Sequence, residues 1–112
     1  MNYIVKPKKM YSPYMMMTFD VLPGKVDKMQ AAIHPYDCTA RVQEVFHDLN
    51  PDYYRLIECY ESLTGESIIL NTSFNLHGFP VVNKPEEALY VFDNSGLTHL
   101  ALENYLVQKI VK

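Results

Sequence analysis

The stretch NPDYYRLIECYESLTGESIILNTSFN, Asn50 to Asn75, decides the fold. Asn50 suits the cap of a helix whose first residue is Pro51, and Asp52 in the first turn complements the helix dipole. Tyr53, Leu56, Ile57, Tyr60 and Leu63 recur at helical spacing, and Gly65 suits a left-handed C-terminal cap. This pattern predicts a helix over Pro51 to Thr64. The apolar run Ser67 to Leu70 then reads as a central strand that delivers a polar loop, Asn71 to Asn75, at its carboxyl end. Ligands gather at that end of strands in open α/β sheets.

The same reading extends in both directions. Pro80 to Val82 reads as a brief edge strand, where a proline is tolerable. Pro85 opens a second helix with Glu86 and Glu87 in its first turn and Gly96 as its stop. The tail from Leu97 reads as two short strands, or as a strand and a turn of helix. Toward the N-terminus, TARVQEVF, Thr39 to Phe46, alternates as a strand does and puts Arg41 and Gln43 on its polar face. Val26, Met29 and Ile33 predict a short helix running up to His34. YMMMTFDVL, Tyr14 to Leu22, reads as a strand buried on both faces, with Met15, Met16 and Met17 as core. Residues through about Tyr11 read as an extended arm without a core face. Residues 12–112 then form one α/β domain, α+β-like, with helices packed on a mixed sheet.

Composition narrows the function classes. At 112 residues, with 48% hydrophobic and 21% charged, the chain suits one ordinary globular domain. A net charge of −3 gives no footprint for a polyanion, so no nucleic-acid partner is expected. No apolar run reaches membrane-spanning length and the N-terminus lacks a signal-peptide core, so the expected compartment is the cytoplasm. The two cysteines, Cys38 and Cys59, have no metal-ligand spacing and read as free thiols, and no metal is expected in this chain.

Four places carry candidate chemistry. Asn71, Ser73 and Asn75 offer hydroxyl and carboxamide groups that suit phosphate oxygens or a carbamoyl group; the same residues also build ordinary Asx and Ser turns. Arg41 can hold a phosphate in two parallel hydrogen bonds, or sit in a surface ion pair with Glu44. His34 and His77 can donate to phosphate or titrate near neutrality, or simply be solvated. The phosphate-loop, dinucleotide and nucleophile-elbow motifs are absent.

The succession SPYMMMTFDV, HPYDCTARVQ, NPDYYRLIECYESLTG, ILNTSFNLHGFPVVNKPEEAL and GLTHLALENYLVQK resembles the C-terminal domain of the nodulation- and antibiotic-type O-carbamoyltransferases. The resemblance implies a YrdC-like domain that takes carbamoyl phosphate and ATP to carbamoyl adenylate. A separate Kae1-like transferase domain with its own metal site then passes the carbamoyl group to a hydroxyl acceptor. By position, Ser73 and Asn75 match the Ser-x-Asn substrate element, which Asn71 begins. Arg41 lies in the family's GTAR stretch behind His34, with Cys38 standing where the family has glycine. The family's domain begins earlier, with a basic and aromatic segment, so this chain is expected to be a partial YrdC-like domain. It should be nearly inactive alone and need a partner chain with the Kae1-like domain, with Lys6, Lys8 and Lys9 as its own basic residues. Homo-oligomerisation through exposed apolar surface is a further expectation. The alternative from a different class is a non-catalytic module that keeps the scaffold and binds a small molecule or a protein.

Overall fold

The structure, a computed structural model, describes residues 2–6 and 10–110. It is a mixed α/β fold, as expected. Among the described residues, three helices accompany two small antiparallel sheets of two strands each. The chain divides into two compact units, residues 1–70 and residues 71–112.

The first unit contains β1 (Thr18–Asp20), a 3-10 helix (Pro23–Met29), β2 (Thr39–Arg41) and α1 (Pro51–Thr64). β1 pairs with β2 in antiparallel register, with Phe19 opposite Ala40 and Thr18 opposite Arg41. Alternation along β1 buries Phe19 and Val21 and exposes Thr18 and Asp20. The methionines preceding it follow the same alternation. Met15 and Met17 are half-buried and Met16 is 81% exposed, so this strand is one-sided and shorter than the two-sided strand expected over 14–22.

The expected arm has a core face after all. Tyr3 is buried, Ile4 bridges Val21, and the backbone bonds Val5 N to Asp20 O (2.8 Å) and Leu22 N to Tyr3 O (2.9 Å) lay this segment along β1. Tyr3, Val21, Met29 and Ala40 form the core of the unit, with Val26, Ile33, Val42 and Ile68 packed against it. The Tyr3 hydroxyl donates to Glu66 (2.8 Å) and accepts from the Ser67 amide (3.0 Å), while Lys28 pairs with the same carboxylate. Of the three lysines singled out near the N-terminus, Lys6 pairs with Glu44, and Lys8 and Lys9 lie outside the described residues.

Three of the element expectations here need correction. The helix expected up to His34 is a tight 3-10 helix that stops at Met29, because Ile33 is taken into a bridge with Ala40. The strand expected over Thr39 to Phe46 ends at Arg41. Beyond it, Ser12 intervenes: its amide donates to Glu44 Oε2 (2.8 Å) and its hydroxyl to the carbonyls of Val42 (2.9 Å) and Tyr14 (3.0 Å). The central strand expected at Ser67 to Leu70 is not paired with any strand among the described residues.

α1 has the expected bounds and both expected caps. The Asn50 side chain accepts from the Tyr53 amide (3.1 Å), and Gly65 at φ 77° closes the C-terminus by donating to Glu61 O (2.7 Å). Yet no residue of α1 is buried, and Leu56 (56% exposed) and Leu63 (86%) face outward.

In the second unit, α2 (Pro85–Asp93) is followed by the hairpin of β3 (His99–Leu102) and β4 (Tyr105–Gln108), which settles the tail as two strands. Glu87 reaches back to accept from the amides of Asn83 (2.7 Å) and Lys84 (3.3 Å). Ala88, Val91, Phe92 and Leu100 are its buried residues. Lys109 donates to Ser95 O (2.7 Å) and lies 4.8 Å from the Phe92 ring centroid. The helix ends at Asp93, before Gly96, with Asn94 as its cap. Pro80 to Val82 forms no strand; the Val82 amide instead donates to Phe74 O (3.1 Å).

Candidate functional site

The candidate residues fall in two places, one in each unit. In the first unit His34, Asp37, Thr39 and Arg41 share the turn that leads into β2. The turn is closed by His34 N to Thr39 O (2.7 Å) and Cys38 N to His34 O (3.0 Å). Its centre is one oxygen, Asp37 Oδ1, which accepts from the Thr39 amide (3.0 Å) and hydroxyl (2.8 Å) and lies 3.2 Å from His34 Nδ1. The two Thr39 donors hold the Asp37 carboxyl below its ordinary value of 3.8, desolvation opposes them, and His34 adds a smaller lowering. A carboxylate oxygen only accepts, so this contact suits a His34 ring with a proton on Nδ1.

Cys38 in this turn adopts φ 54°, the left-handed region. Glycine reaches that conformation without steric cost, which gives a backbone reason for the glycine of the resembling family. Arg41 follows on β2, exposed, and forms no ion pair among the described residues. The Glu44 carboxylate, its alternative partner from the sequence, is occupied by Lys6 and the Ser12 amide.

In the second unit the loop from Asn71 is organised by Asn75. Its Nδ2 donates to the carbonyls of Leu76 (3.2 Å) and Phe79 (2.8 Å), and its Oδ1 accepts from the Ser73 hydroxyl (2.6 Å). Two carbonyls on the Nδ2 side fix the orientation of the carboxamide, because a carbonyl only accepts. Phe79 N to Leu76 O (3.0 Å) and Gly78 at φ 83° complete the turn. The turn-building alternative is therefore real for Asn75.

What remains free decides the chemistry. Both Asn75 donors and the Ser73 proton are spent, so these two side chains present only lone pairs outward. In this arrangement they are set to receive N–H groups. Asn71, Ser73 and His77 are exposed. The structure thus joins Ser73 to Asn75, and His34 to Asp37 and Thr39. Asp37 is the residue that sequence reasoning passed over; its signal was the Asp-x-Thr spacing of an Asx turn. Among the described residues no group of three or more His, Cys, Asp or Glu is placed to hold a metal ion. Nor is any helix among them long and apolar enough to cross a membrane.

Residues 1–109 match the family described as Carbamoyltransferase C-terminus. An uncharacterised protein of Methanocaldococcus jannaschii is 36% identical over 109 residues, which is 97% of this chain and 21% of the relative. The nodulation protein NolNO of Sinorhizobium fredii is 34% identical, over 87% of this chain and 14% of that protein. The 3'-hydroxymethylcephem-O-carbamoyltransferase of Amycolatopsis lactamdurans is 26% identical, over 70% of this chain and 15% of that enzyme. The chain thus spans about a fifth or less of these relatives. With nearly its whole length matched, the chain belongs to the carbamoyltransferase C-terminus family.

Proposed function

We propose that this chain forms part of an ATP-dependent carbamoyltransferase, acting as a YrdC-like domain in the activation of carbamoyl phosphate to carbamoyl adenylate: water releases inorganic phosphate to leave carbamate, whose oxygen attacks the ATP α-phosphorus and displaces pyrophosphate. The carbamoyl group then passes to a hydroxyl acceptor on a partner carrying a Kae1-like transferase domain, in the cytoplasm. The observation that carries this reading is the donor and acceptor balance at Ser73 and Asn75. A carbamoyl group differs from a phosphate or an acyl group in carrying an NH2, and an acceptor-only pair of side chains suits that NH2.

In this reading Ser73 and Asn75 orient the carbamoyl nitrogen, and Asn71 borders the same element. Phosphate is met by other groups. Each unit offers such groups on its own: in the first, Arg41, exposed and without an ion pair among the described residues, has a guanidinium fork that matches phosphate in two parallel bonds, and in the second His77 on its exposed loop offers a donor. His34 is held by Asp37 with its ring oriented, so its part is to position the turn that carries Arg41. Stabilising the charge of the transferring phosphate is the main electrostatic demand of the step, and it falls on a small number of cations.

Calorimetric titration of the chain with ATP and carbamoyl phosphate, separately and together, tests the proposal, with Arg41→Ala and Ser73→Ala as variants. Saturable binding is expected. Arg41→Ala should weaken ATP, whereas Ser73→Ala should weaken carbamoyl phosphate and spare ATP. Absence of heat at millimolar ligand, or equal loss of both ligands in Ser73→Ala, overturns the assignment. A second reading, a non-catalytic module that docks a protein, draws support from the outward apolar stripe of α1.

A further inference from the structure

Ser67, Ile68, Ile69 and Leu70 have the composition of a central strand, yet among the described residues they pair with no strand. The Ser67 amide is taken by the Tyr3 hydroxyl, and Ile68 packs against the core of the first unit, so the segment is anchored in place. The backbone N–H and C=O groups of Ile68, Ile69 and Leu70 make no hydrogen bond among the described residues. Beside this segment lies a groove of about 300 Å³ lined by Met29, Ala32, Tyr60, Ile69 and Leu70, with Lys28 also lining it. Leu70 is 62% exposed and Tyr60 41%. A fixed, apolar, extended backbone with unspent hydrogen-bonding groups is the template for adding a strand.

We propose that residues 67–70 are an acceptor edge. A β-strand from the part of a carbamoyltransferase polypeptide that this chain does not span pairs with them and seats apolar side chains in the adjoining groove. The length of the relatives argues for this occupant, since about four-fifths or more of each lies beyond the matched residues. Membership of the family adds that such a polypeptide is built around this domain. Main-chain hydrogen bonds supply affinity and alternate side chains supply selectivity, as in other strand-addition complexes. The unpaired α1 stripe stands in the same unit and gives the docked polypeptide further apolar surface to cover. The inference rests on the proposed function for its partner but needs no ligand chemistry.

Amide hydrogen exchange tests it, on the chain alone and mixed with the part of the Methanocaldococcus jannaschii relative outside its matched residues, with neither nucleotide nor carbamoyl phosphate present. The amides of Ile68 to Leu70 should exchange fast in the free chain and slow by about 100-fold or more in the mixture, as buried ladder amides do. Leu70→Pro removes one donor that carries no bond in the free chain, so it should leave the circular dichroism unchanged and abolish the protection; Leu70→Ala should keep it. The wild-type mixture decides the matter even where the proline variant misfolds. No protection on mixing overturns the proposal. Protection in the chain alone that grows with its concentration, together with a dimer mass, also overturns it by making a second copy the occupant. Protection without ligand binding in the calorimeter would leave the docking edge standing and remove the activation reading; ligand binding without protection would do the reverse.

Discussion

At the scale of single residues, the turn from His34 to Thr39 and the loop around Asn75 show where side-chain identity governs the candidate site. Cys38 holds a left-handed conformation that costs an L-residue roughly 1–2 kcal/mol, partly offset by the greater unfolded-state freedom of glycine. Cys38→Gly should therefore stabilise the chain by about 0.5–1 kcal/mol, read as a higher urea midpoint at unchanged slope. Asp37 makes a pH prediction whose sign is fixed. Its folded pKa lies below the ordinary value because Thr39 donates to it twice, so its contribution is complete above the unfolded value near 3.8 and is lost as pH falls through the folded value. Urea midpoints measured downward from about pH 6 should drop more steeply in the wild type than in Asp37→Asn once the pH passes below about 4. Equal slopes would show that the turn does not depend on the carboxylate. The sequence made Asn71, Ser73 and Asn75 legible as a polar cluster, because residue type alone reveals hydroxyls and carboxamides. Which of those groups remained free was not legible, because that depends on Asn75 turning its NH2 toward the carbonyls of Leu76 and Phe79.

At the scale of elements, legibility followed locality. α1 was readable to its last residue because its signals are all within one turn of each end: Asn50 as cap, Pro51 at the first position, Gly65 past the last. Asn50→Ala should cost about 1 kcal/mol and reduce helical ellipticity, since one amide at the N-terminus loses its acceptor. A change under a few tenths of a kcal/mol would mean that water replaces the cap freely. The strands were read less well, because a strand exists only where a second one pairs with it, and pairing is long-range. TARVQEVF alternates beyond Arg41, and its burial alternates too, with Val42 half-buried and Gln43 exposed. Its ladder nevertheless stops at Arg41, where Ser12 takes over the Val42 carbonyl. The Met15 to Met17 run misled for a different reason. Methionine's hydropathy does not say which face of a strand is wet, and only the pairing of β1 with β2 and with the Tyr3 segment makes Met16 outward.

At the scale of the whole molecule, the distribution of apolar side chains sets the chain's behaviour. Its cores are small: Tyr3, Val21, Met29 and Ala40 in the first unit, and Ala88, Val91, Phe92 and Leu100 in the second. Much of its remaining apolar material faces outward, including Leu56 and Leu63 of α1 and Leu70 beyond it. An apolar side chain stabilises a fold only by the area it removes from water, so the α1 stripe contributes little to folding and leaves apolar surface open to association. This separates two classes of substitution. Met29→Ala empties a buried site at 3% exposure and should cost about 2–5 kcal/mol, a large fraction of what so small a chain can muster. The pair Leu56→Ser and Leu63→Ser should together change stability by less than about 1 kcal/mol, because both side chains are already in water. In sedimentation the wild type should self-associate as its concentration rises, and the same pair should lower that association by removing two anchors from an uncovered face. A loss of several kcal/mol in the double serine variant would mean that α1 buries its stripe within the folded chain, and the helix would then belong to the core rather than to an interface.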